Sequence, residues 1–97
     1  MEKDYIISFQ NTNYAMKAER LLLDENLCVV VMPLPSQISA GCGLCLRVSQ
    51  NEIKSALRSL AEGNAGKIGL FSRTSENNRS IYTELSDLSE YVDDPAR

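Results

Sequence analysis

Between Tyr5 and Phe71 the hydrophobic pattern switches back and forth between a period of two and a period of about 3.6, and that alternation restricts the fold more than any other feature. Tyr5-Ile6-Ile7-Ser8-Phe9 is a short apolar, aromatic and β-branched run, read as a first strand. Asn11, Thr12 and Asn13 offer capping oxygens to a helix that runs to about Glu25, with Ala15, Ala18, Leu21 and Leu22 on its apolar side. Asn26 suits a left-handed stop. Residues 27–32 are continuously apolar and read as a second strand, with Cys28 filling core space and Pro33 ending the pairing. From Leu44 to Val48 the period is two again: Leu44, Leu46 and Val48 face one way, Cys45 and Arg47 the other. Ser49 and Glu52 have the spacing of a capping box, in which each side chain takes a helix-end donor. The helix after it carries Ile53, Ala56, Leu57, Leu60 and Ala61 and stops at Gly63, and residues 67–71 form the last strand.

The order β-α-β-β-α-β predicts an α+β fold of the split, ferredoxin-like kind. Four antiparallel strands would carry two helices on one face and leave the other bare. Residues 1–72 make up that domain. Residues 73–97 read as a polar linker and an acidic tail, in which Ile81, Leu85, Leu88 and Val92 recur at helical spacing. They predict either a short helix from about 81 to 92, docked on the bare face or a second subunit, or a tail without regular structure.

Charge narrows the function. The net charge of −3 arises from Arg73 onward, where three arginines meet six acids, while residues 1–72 balance seven basic groups against seven acidic ones. No basic stripe exists for a phosphate backbone, so nucleic acid is not an expected partner. No run of apolar residues is long enough to span a membrane, and the expected location is cytoplasmic, where thiols stay reduced. Histidine is absent, which removes the commonest general base and the commonest metal ligand. Three cysteines, with Cys28 in a strand pattern, make a poor zinc set, so neither metal nor other cofactor is expected.

Chemistry therefore concentrates in residues 33–47, reading PLPSQISAGCGLCLR. Two prolines exclude a helix at its start, and Gly41 and Gly43 leave the backbone around Cys42 uncrowded. A thiolate is the reactive form of cysteine, and nearby N–H groups or positive charges favour it. Gly41 and Gly43 would let main-chain N–H groups converge on the Cys42 sulfur, with Ser39 and Arg47 as assisting groups. The competing reading is a half-buried cysteine filling a tight turn. Cys45 is either a resolving thiol for Cys42 or an ordinary strand residue. Residues three apart in an extended chain are about 10 Å apart, beyond disulfide reach, so pairing requires a turn over 42–45.

From Tyr5 to Phe71 the chain resembles the small bacterial proteins described as putative selenium/sulfur carrier-like. The resemblance rests on Ser8-Phe9, on Ala15, Lys17-Ala18-Glu19 and Leu22 in the first helix, and above all on the loop. There Pro33, Pro35, Ile38-Ser39 and Cys42-Gly43, followed by Leu44, Leu46 and Arg47, fit that family's central signature. It implies a ferredoxin-like domain in which Cys42 accepts and relays sulfur or selenium from a persulfide- or selenide-bearing donor protein. Such a protein is a carrier rather than a turnover catalyst. Cys45 stands where similar proteins more often have a small residue, and the acidic tail lies outside the resemblance. Two readings stay beside it: a non-enzymatic ligand-binding or regulatory module, dimeric through the open sheet face, and a thiol-disulfide sensor using Cys42 and Cys45.

Overall fold

The computed structural model describes residues 4–38, 43–63 and 68–85. Strand β1 (Asp4–Phe9) leads into helix α1 (Thr12–Asp24), whose N-cap Asn11 accepts the Tyr14 N–H at 3.0 Å through Oδ1. At the far end Asn26 adopts φ 64°, and the N–H groups of Leu27 and Asn26 reach back to Leu22 O and Leu23 O, each at 3.0 Å. This is the Schellman closure that an asparagine at the left-handed position permits. Strand β2 (Val29–Pro33) follows, then β3 (Leu44–Ser49), helix α2 (Ile53–Glu62) and β4 (Ile68–Glu76).

Two local expectations are corrected here. Cys28 is exposed and lies ahead of β2 rather than in the core. The capping box does not form either: Glu52 is itself the N-cap of α2 and makes no side-chain capping bond. Its carboxylate takes the Cys28 N–H instead, at 3.2 and 3.4 Å, and the Ser49 hydroxyl donates to it at 3.4 Å. A carboxylate accepts from any N–H in reach, and here the donor lies on a neighbouring segment rather than in its own helix.

The sheet has five strands, not four, in the order β2-β3-β1-β4-β5, with every neighbouring pair antiparallel. The extra strand, β5 (Arg79–Leu85), corrects the reading of residues 73–85 as a linker leading into a helix. Strand β4 runs on through Glu76 and turns at Asn77 and Asn78, with φ 53° and 64°. Positive φ at both central residues is the two-residue hairpin turn that matches the twist of the flanking strands. Asparagine tolerates it better than any other residue bearing a Cβ. Residues 86–97, to which the rest of the tail reading applied, lie outside the described residues.

One face of the sheet, with Tyr5, Ile7, Phe9, Leu46, Val48 and Leu70, packs against both helices. Gly63, ending α2, leaves room for Leu21 of α1, which a Cβ there would strike. The opposite face is not bare at its centre. Ile6, Cys45 and Phe71 form a second small cluster there, and Ile38 from the β2–β3 connection lies over them, with Met32, Leu34 and Tyr82 packed around. Covering that apolar patch removes it from water, at roughly 25 cal/mol per Å² of apolar surface.

Candidate functional site: a loop anchored on the second sheet face

The β2–β3 connection is held at both ends. The Leu34 N–H donates to Gly43 O at 2.9 Å, continuing the β2–β3 ladder one residue beyond Pro33 and Leu44. The Ile38 N–H donates to Pro35 O, also at 2.9 Å, which closes a turn over residues 35–38. Ile38 itself is only 6% exposed. Ser39, Gly41 and Cys42, the core of the sequence-derived site, lie outside the described residues, between these two anchors in the chain.

Gly43 is exposed, and a Cβ placed on it would meet nothing within 4 Å. Packing therefore does not demand glycine at this position. Arg47 is on the loop-covered face, two residues past Cys45. Its Nε faces Asp4 Oδ2 at 3.8 Å, and Arg73 Nη1 donates to the same oxygen at 3.0 Å. The Arg47 guanidinium is thus oriented toward the start of β1.

Cys45 is wholly buried. Its pairing with Met32 on β2 and with Ser8 on β1 sets it in the middle of the second face. Its Sγ lies 3.6 Å from Met32 O and 3.8 Å from Pro33 O, within reach of an S–H donor. Two carbonyl oxygens and an apolar cover suit a neutral thiol and oppose an anion at that sulfur. Among the described residues no three of Cys, Asp and Glu converge to hold a metal ion.

One feature of the site has no counterpart in the sequence-derived set. A cavity of about 570 Å³ lies between Gln37 of the loop turn and the β4–β5 hairpin, lined by Glu76, Arg79, Ser80, Ile81 and Tyr82. The signal that could have revealed its hairpin wall was the Asn77-Asn78 pair between two polar, β-compatible stretches.

The class this defines is a small α+β domain: two helices on a five-stranded antiparallel sheet, with Ile38 of the β2–β3 connection packed on the other sheet face. Residues 4–71 match the family described as putative Se/S carrier protein-like, and the chain belongs to that family. The match ends within β4, so the hairpin and its cavity are additions to the matched part. No curated protein and no solved structure matches the chain. None of the helices is long and apolar enough among the described residues to cross a membrane.

Proposed function

We propose that the protein carries sulfur or selenium at the zero-valent level on Cys42, taking it from a persulfide-bearing donor protein. The observation that carries this reading is the anchoring of the loop at Ile38 and at the Leu34–Gly43 hydrogen bond, in a chain of the carrier-like family. Those anchors hold the two ends of the segment bearing the thiol, while the exposed backbone at Gly43 leaves its flank open to a partner. The Cys42 thiolate attacks the outer sulfur of the donor's R–S–SH. The donor S–S bond breaks, R–S⁻ leaves, and Cys42–S–SH forms with no net change of oxidation state. The reaction needs no general base, which agrees with a chain that has no histidine.

Gly41 and Gly43 supply main-chain N–H groups to the thiolate on this reading, with Ser39 as an added donor. Arg47, engaged with Asp4, contributes positive charge on the loop-covered face. Cys45 serves as a loop-supporting thiol; acting as a resolving thiol would require Ile38 to lift away first. The first four strands, with β3 set between β1 and β2, support a ferredoxin-like core to which β5 is an addition. A thiol carrier of this kind belongs in a reducing compartment such as the cytoplasm.

The cavity beside the loop favours a second reading, a non-enzymatic ligand-binding or regulatory module. One experiment separates the two. The protein is incubated with a donor carrying zero-valent sulfur or selenium, a persulfide (R–S–SH) or a selenosulfide (R–S–SeH), and weighed intact, beside Cys42→Ser and Cys28→Ser variants. A carrier gains one sulfur or selenium on Cys42, retains the gain in Cys28→Ser and loses it in Cys42→Ser. A reduced Cys42 that never takes up the adduct overturns the carrier reading.

A further inference from the structure

The sheet has two edges, β2 and β5, and they are built differently. Strand β5 carries Arg79 and Glu84, charges of the sort that keep an edge from pairing with another chain. Strand β2 reads Val-Val-Val-Met-Pro and carries no charge. Val30, its second residue, is 51% exposed. The bond from Leu34 N–H to Gly43 O sets the parity of the edge: even-numbered residues of β2 face β3, so Val29, Val31 and Pro33 turn their main-chain groups outward. Pro33 has no N–H to leave unpaired there. Val29 and Val31 do.

Helix α1 adds a second feature beside that edge. It packs on β2, β3 and β1, and its Leu21 faces the end of α2. Met16 and Leu23, seven residues apart, fall on the opposite side of the helix from Leu21, along the flank that borders β2. They are 58% and 48% exposed and lie two turns apart on one stripe. Between them stand Glu19 and Arg20, neither of which has an ion-pair partner among the described residues.

We propose that this edge and flank bind a second copy of the chain across a two-fold axis. Antiparallel pairing centred on Val30 sets Val29 opposite Val31 of the copy and the reverse, so each outward N–H and C=O of the two residues gains a partner. Val30 then meets Val30 of the copy on one face of a continuous sheet. A register centred on Val31 would put Val29 against Pro33, which has no donor to give. On the other face α1 runs antiparallel to its copy. Centred between Glu19 and Arg20, that arrangement sets Met16 against Leu23 and Glu19 against Arg20, each contact occurring twice. Such self-complementarity is what a two-fold interface requires. It leaves the loop-covered centre of the second face open, in contrast to a dimer through that face.

The test is sedimentation equilibrium of the full chain over a dilution series, with circular dichroism to confirm that each variant is folded. Val30 and Arg20 are exposed and Glu19 is partly exposed on α1, so the fold is expected to persist. Wild type is expected to be a reversible dimer. Val30→Lys and Glu19→Arg are each expected to raise its dissociation constant by roughly tenfold or more, which corresponds to at least about 1.4 kcal/mol. Glu19→Arg combined with Arg20→Glu exchanges the two charges and is expected to restore most of the affinity. A wild-type chain that stays monomeric to its solubility limit overturns the proposal. So does a dimer indifferent to Val30→Lys, and a charge exchange that fails to rescue removes the helix pairing.

Discussion

Replacing Ile38 with alanine tests whether the loop is held by its contact with the second sheet face. Ile38 is 6% exposed and rests on Ile6, Cys45 and Phe71. The substitution removes three carbons, worth roughly 0.8 kcal/mol each in lost burial, or about 2.4 kcal/mol before any cavity term. Because Ile38 belongs to a connection and not to the helix-packed core, the loss should fall on local opening of residues 34–38. The Leu34 and Ile38 amides report it, since each donates a bond within the anchored segment. At about 1.4 kcal/mol per factor of ten, both should exchange with solvent roughly 50-fold faster. Amides of Ile7 and Leu46, in the centre of the sheet, should change far less. Hydrogen exchange resolved by residue makes the measurement. Unchanged protection at Leu34 and Ile38 would refute the anchoring argument, and an equal loss at Ile7 and Leu46 would show that Ile38 supports the whole core instead.

Further outcomes follow from particular contacts. A Cβ on Gly69 would lie 2.5 Å from Ser8 Oγ and 3.3 Å from a Phe71 ring carbon, so Gly69→Ala should cost about 1–3 kcal/mol in urea unfolding. Adding Ser8→Ala should recover part of that loss, and no recovery would mean that the strain lies elsewhere. Gly43→Ala, which meets nothing within 4 Å, should leave the midpoint almost unmoved. At the hairpin, Asn78→Val puts a β-branched residue at φ 64° and should lower the thermal midpoint, at a cost of about 1–2 kcal/mol, whereas Asn78→Gly should not.

Much of the architecture was legible because periodicity is a local property. Ala15, Ala18 and Leu22 on α1, and Ile53, Ala56, Leu57 and Leu60 on α2, are the buried residues of their helices, at the spacing that identified them. The alternation in β3 likewise set Leu46 and Val48 against the helices and Cys45 on the reverse face. The reading failed where a side chain or strand chose a distant partner over a near one. Glu52 had a capping position available and took the Cys28 N–H. Ile81 and Leu85, at helical spacing among acids, form a strand because β4 offered an unpaired edge and Asn77-Asn78 closed the turn. Leu85 reaches the main core only through that pairing.

By itself, then, the sequence determined helices α1 and α2, the first four strands and the face each side chain of β3 presents. These depend on turn geometry and repeat length, which act over a few residues. Only the tertiary structure decided that a fifth strand extends the sheet, that Ile38 crosses its second face, and that Cys45 lies beneath it against the Met32 and Pro33 carbonyls. Those outcomes depend on which surfaces remain unpaired once the core has formed, and hydrogen bonding and apolar burial then select partners far apart along the chain.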